Sequence, residues 1–136
     1  MAATVAVDAG FLVALVSDRD TYHHWAYGVS EQHPPPWKTC EGVLSETFLL
    51  LARPGATTLI ELLRRGAVVP AFHLEENADA VLRLMQKYAN VPMSLADACL
   101  VRMTELLPDP ILLTTDADFR IYRRHSRQTV PCMLPD

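Results

Sequence analysis

Residues 4–10 read TVAVDAG. A compact, mostly β-branched stretch, Thr4 to Val7, runs straight into a carboxylate and a glycine. That is the pattern of a short buried strand that stops at Asp8 and Gly10. A second stretch of the same kind lies near the other end of the chain, where ILLT (111–114) is followed by Thr115 and Asp116. The two together predict a sheet whose strands end in acids.

Working outward, helical signals fill the space between. Tyr22–Glu31 reads as a helix ended by Pro34, Pro35 and Pro36, and Trp37–Cys40 as an extended piece. Val43–Ala52 is apolar on most sides and is expected to be a buried helix stopped by Pro54-Gly55. Thr57–Arg65 follows as a second helix with Gly66 as its C-terminal cap, and Ala67–Pro70 as a short strand. Leu74–Ala89 carries the clearest helical period, with Leu74, Ala78, Val81, Leu82 and Met85 on one face. Ser94–Leu107 is the next helix, closed by Pro108 and Pro110. Asp118–Ser126 reads as helical and Val130–Leu134 as a last short strand. Short apolar strands alternating with helices predict a three-layer α/β/α sandwich with a mainly parallel central sheet. Residues 1–136 are expected to form one domain, since 136 residues suit a single core and no linker or repeat interrupts them.

Composition narrows the function. Half of the residues are hydrophobic and 21% are charged, a folded composition. The net charge of −4 argues against a generic basic nucleic-acid binder. It leaves room for a nuclease, because clustered acids can hold a cation while arginines elsewhere take phosphates. The N-terminal segment contains Asp8 and lacks a basic leader, so it does not read as a signal peptide. No apolar run approaches the roughly 20 residues of a membrane span. Cys40, Cys99 and Cys132 are far apart in the chain and odd in number, and they read as buried reduced thiols of a cytoplasmic protein.

The chemistry lies in four acids within apolar surroundings: Asp8, Glu46, Asp97 and Asp116. An unpaired carboxylate is costly to bury. The economical explanation is convergence around a divalent cation. Each acid also has a plain structural reading. Asp8 can be a turn or N-cap residue. Glu46, in GVLSETFLLLA, can mark the polar edge of a nearly buried helix. Asp97 has capping-box spacing from Ser94, and that role is compatible with facing a site beside the helix start. Asp118 has capping spacing from Thr115, so Asp116 is favoured as the ligand and Asp118 as a cap or outer acid. Carboxylates without His or Cys suit Mg²⁺ or Mn²⁺ rather than zinc. Metal-assisted hydrolysis of a phosphodiester is the natural reaction class.

VDAGFLVAL, VLSETFLLL, SLADACLVRM and LLTTDADF, in this order and spacing, resemble the PIN-domain ribonucleases, and the chain's size resembles VapC-type toxins of toxin–antitoxin pairs. The resemblance covers almost the whole chain, most specifically at the first motif and the last two. It implies that Asp8, Glu46, Asp97 and Asp116 are the catalytic and metal-holding acids, with Thr114 as an accompanying hydroxyl. It implies a Mg²⁺- or Mn²⁺-dependent endoribonuclease, often a homodimer, silenced by a cognate antitoxin. Position 9 departs from the pattern: relatives often carry Ser or Thr there, and this chain has Ala9.

Arg102, Arg120 and Arg124 are candidate contacts to RNA phosphates, with Arg120, Arg123, Arg124 and Arg127 at helical spacing. The plain alternative is a solvated helix face. His23 and His24 lack metal-ligand spacing, and Trp25, Tyr22 and Tyr27 read as packing residues. Two rivals remain. One is a non-catalytic PIN-like scaffold that binds RNA or protein. The other is a phosphoaspartate protein of receiver or haloacid-dehalogenase type, for which the chain lacks a D-x-D-x-T motif and a well-placed late lysine.

Overall fold

The computed structural model describes residues 3–136. The chain runs β1 (Thr4–Val7), α1 (Ala9–Val16), α2 (His23–Gln32), β2 (Trp37–Thr39), α3 (Glu41–Leu50), α4 (Arg53–Arg64), β3 (Val68–Pro70), α5 (Leu74–Lys87), α6 (Leu95–Leu106) and β4 (Pro110–Leu113). A 3₁₀ turn (Ala117–Arg120) and three two-residue strands follow: β5 (Arg123–Arg124), β6 (Gln128–Thr129) and β7 (Cys132–Met133).

Five strands form one parallel sheet in the order β3-β2-β1-β4-β7. This is the expected α/β/α architecture. From β1 the chain steps outward through β2 and β3, then returns to pair β4 on the other side of β1. The sheet's connection order therefore reverses between β1 and β4. In such sheets the crevice outside the carboxyl ends at the reversal is the natural ligand site. Val7 pairs with Leu113 at the end of the ladder, so Asp8 and Thr114 emerge side by side.

The core wraps this strand pair. Ala6, Val7, Leu112 and Leu113 are fully buried, as are Phe11 and Leu12 of α1 and Leu100 and Val101 of α6. The helices divide between a group in which α1 packs on α2, α3 and α4 and a pair in which α5 packs on α6.

Several sequence expectations are corrected. A helix, α1, begins directly after Asp8, where the apolar run GFLVALV gives no polar face to announce it. The helix α3 is not buried. Only Val43 and Thr47 are, one turn apart, while Leu49 and Leu50 are 85% and 60% exposed. Its apolar composition exceeds the narrow edge it packs with. Pro54 and Gly55 do not follow a helix but lie in the first turn of α4, where proline's fixed φ is tolerated. The break falls before it, at Leu51 and Ala52. Gly66 does take the left-handed conformation, φ 74°, that closes α4. On α5, Val81 is buried as expected, but Leu74 and Leu82 are exposed, and Leu84 and Tyr88 pack inward instead.

The largest correction concerns Asp118–Ser126. The 3₁₀ turn ends at Arg120, and residues 123–129 form an antiparallel hairpin turning at His125 and Ser126, with φ 48° and 70°. Tertiary contacts override the local helical signal here. Tyr122 is completely buried, and the Tyr88 hydroxyl accepts the Arg123 backbone N–H at 2.9 Å.

Gly10 shows how tightly α1 fits the loop after β4. A Cβ at this position would stand 2.0 Å from Thr115 Oγ1 and 3.2 Å from Thr115 Cβ. Overpacking costs about 1–3 kcal/mol, and alanine returns about 1 kcal/mol in helix propensity. Gly10→Ala is therefore expected to lower unfolding free energy by about 1 kcal/mol, the difference of those two figures, in urea titration. An unchanged midpoint would mean that Thr115 turns aside freely.

Candidate active site

Asp8 directly follows β1 and is the N-cap of α1. Its Oδ1 accepts the Ala9 N–H at 2.7 Å, and its Oδ2 accepts the Thr114 hydroxyl at 2.8 Å. Its own N–H donates to the Leu113 carbonyl at 3.0 Å, tying it to the end of β4. Only 6% of the residue is exposed. Burial pushes its carboxyl up to about 7. The Thr114 and Ala9 hydrogen bonds oppose this, while the charges of Asp97 and Glu46 add to it.

Thr114, fully buried, links the two strand ends. Its Oγ1 donates to Asp8 and accepts the Asp116 N–H at 3.0 Å. Asp116 then caps the 3₁₀ turn, its Oδ1 accepting the Asp118 N–H at 2.9 Å. The cap is thus Asp116 rather than the expected Thr115–Asp118 pair. Asp118 is half-buried, near enough to act on the Tyr122 hydroxyl by its charge.

Asp97 sits in the first turn of α6 in a complete capping box. The Ser94 hydroxyl accepts the Asp97 N–H at 3.0 Å, and Asp97 Oδ2 accepts the Ser94 N–H at 3.1 Å. The Tyr122 hydroxyl donates to the same Oδ2 at 3.5 Å. Burial raises the Asp97 carboxyl, the Ser94 bonds oppose, and the charges of Asp116 and Glu46 raise it further. The capping reading of Asp97 holds, with Oδ2 given to the cap.

Glu46 is exposed, which corrects the expectation of a nearly buried glutamate. It projects from the solvent side of α3, yet its charge reaches Asp8 and Asp97. The fold brings all four acids into one electrostatic neighbourhood at the reversal of the sheet. It does not draw them into a closed ligand set: among the described residues, no three His, Cys, Asp or Glu side chains could hold a metal ion as they stand. The donor set still fits a hard cation. It is all oxygen, two of its members are buried carboxylates held above their ordinary range by burial and mutual repulsion, and a cation relieves both costs.

The arginines divide. Arg102 donates to Asn77 Oδ1 at 3.0 Å and Glu105 Oε1 at 3.1 Å, fastening α5 to α6. Arg124 donates to the Thr104 carbonyl and to Gln128, and Arg123 to the carbonyls of Arg120, Ile121 and Tyr122. Arg120 is exposed on the turn that follows Asp116. The expected helical stripe of arginines does not form, because the helix does not.

Tyr122 was not legible as a site residue. Its spacing of three from Phe119 was the available signal, and the rings meet edge to face with centroids 5.3 Å apart.

A family model described as "PIN domain" matches residues 5–124. Among solved structures the chain is similar to VapC20 of Mycobacterium tuberculosis, described as a sarcin-ricin loop cleaving toxin. The TM-score is 0.59 at 23% identity, over 74% of this chain and 80% of that one. No curated protein matches.

Proposed function

The chain belongs to the PIN-domain family, and from that premise we propose that it is a Mg²⁺- or Mn²⁺-dependent endoribonuclease, the toxin of a type II toxin–antitoxin pair. The supporting observation is the Asp8–Thr114–Asp116 bridge between adjacent strand ends, with the charges of Glu46 and Asp97 directed at it. The likeness to VapC20 supports the fold of this reading.

Asp8, Glu46, Asp97 and Asp116 would hold the cation, which when bound activates a water and neutralises the scissile phosphate. The chain's own work is to fix those carboxylates. Thr114 and the Ala9 amide hold the two oxygens of Asp8. Ser94 and Tyr122 hold Asp97 Oδ2, so that Oδ1 is the oxygen left for the site. Thr114 couples Asp8 to Asp116, and Asp118 adds an outer charge. Arg120, exposed on the turn after Asp116, is the arginine we assign to RNA phosphates, since Arg102 and Arg124 already bind other protein groups.

Exposed Leu49 and Leu50, on the turn of α3 beyond Glu46, support a protein partner covering that helix, as antitoxin or in a homodimer. No described helix is long and apolar enough to cross a membrane, and a cytoplasmic site of action is part of this reading.

The test is cleavage of a structured RNA with Mn²⁺, and with EDTA. Products with 5′-phosphate and 3′-hydroxyl ends are expected, because water rather than the ribose 2′-hydroxyl attacks. Cleavage that survives chelation, or leaves cyclic phosphates, would refute the reading.

A further inference from the structure

Two cysteines remote in the sequence are neighbours in the fold. Cys40 is the residue before α3 and its N-cap, and Cys99 lies on the second turn of α6. Both are buried, and both line one small cavity of about 80 Å³. Its walls include Glu41, Leu74 and Leu95, which are exposed, so the cavity opens outward. It is large enough for a molecule of water size or slightly larger. The two helices approach closely here: a Cβ on Gly42 would stand 3.4 Å from Ala96 Cβ and 3.5 Å from Ala96 Cα.

We propose that Cys40 and Cys99 form a reversible disulfide when a hydroperoxide enters this cavity, a modification site that ties α3 to α6 beside the acidic cluster. It does not rest on the nuclease reading.

The pair is chemically asymmetric. The Cys99 thiol lies beside Cys40, and Cys40 sits at the start of α3, where the nearby amides of Val43 and Gly42 favour its thiolate. They hold Cys40 below the ordinary thiol range, against burial and the charge of Asp8. A thiol at a helix N-terminus is the nucleophile of such a pair.

The steps balance. Cys40 sulfur attacks one peroxide oxygen and the O–O bond breaks; the departing hydroxide takes a proton and leaves as water. Cys40 is now a sulfenic acid. Cys99 sulfur attacks Cys40 sulfur, the S–O bond breaks, and the thiol proton leaves with that oxygen as a second water. The two sulfurs together lose two electrons, and one hydrogen peroxide becomes two waters. A dithiol reverses the link by exchange.

The experiment treats reduced, EDTA-containing protein with hydrogen peroxide, then unfolds it in N-ethylmaleimide and maps its peptides by mass spectrometry. Cys40 and Cys99 should disappear together into one linked peptide, leaving Cys132 as the labelled thiol. Dithiothreitol should restore all three. Cys132→Ser should link equally well. Cys99→Ser, if folded by circular dichroism, should leave Cys40 as a sulfenic acid trapped by dimedone; if it does not fold, the wild-type and Cys132→Ser maps decide alone. Three labelled thiols after peroxide, or a link through Cys132, would overturn the proposal.

Discussion

Asp8→Asn is expected to cut RNA cleavage about a thousandfold while leaving the cation-free protein at least as stable as wild type at pH 8. The first half follows from the loss of a charge that would hold the cation. Such ions supply several kcal/mol of transition-state stabilisation, and about 4 kcal/mol is a factor of about a thousand. The second half follows from burial. The Asp8 carboxyl is raised from 3.8 to about 7, so the folded state disfavours its ionised form. Between those two values the unfolded chain gives up its proton while the folded chain keeps it. Stability from this group is complete below about pH 4 and is lost as pH rises through about 7. The shift corresponds to about 4 kcal/mol at most. Asparagine removes the ionisation and keeps the shape. It recovers only part of that energy, because Ala9 and Thr114 donate to opposite oxygens of Asp8 and the amide nitrogen must replace one of them. Melting curves in EDTA at pH 8 and pH 5 check this: the variant's advantage should be present at pH 8 and shrink at pH 5. Full cleavage activity in Asp8→Asn would remove Asp8 from the mechanism.

Asp8 and Asp116 could be read from the sequence because β1 and β4 announce themselves. TVAV and ILLT are short and apolar enough to read as buried strands, and the acids that follow them emerge at the carboxyl end of the sheet. Asp97 was legible through its cap, which orients the first turn of α6 whatever else the side chain does. Glu46 was singled out on a reading that the structure corrects. The apolar run around it suggested burial, whereas α3 turns that run partly to solvent and leaves the glutamate exposed. Composition reports how apolar a helix is, not which neighbours are present to cover it. The arginines near the end failed differently. Their spacing fits a helix, but the burial of Tyr122 and the hydrogen bond from Arg123 to Tyr88 fix a hairpin, and neither is local. The approach of Cys40 to Cys99 depends on the crossing of α3 and α6, which no spacing along the chain encodes.

The cation's own affinity should carry the signature of Asp8. A carboxylate must lose its proton to bind a metal, so binding in this site expels protons at any pH where Asp8 holds one. With the group near 7, Mn²⁺ affinity is expected to level off above about pH 8 and to fall about tenfold per pH unit below about 7, the slope of one proton. Asp97, also raised, steepens the fall at lower pH. Calorimetry in buffers of different ionisation heat should count close to one proton released near pH 6, and near zero at pH 9. Stability gives an independent reading with the opposite sign. In EDTA this carboxyl makes the protein less stable as pH climbs from about 4 to 7; with saturating Mn²⁺ the same carboxyl makes it more stable, because the ion binds the folded, ionised form alone. Asp8→Asn should flatten both slopes. Mn²⁺ binding that is indifferent to pH between 5 and 8 would mean that the ion sits elsewhere, and that Asp8 serves only to cap α1 and join β1 to β4.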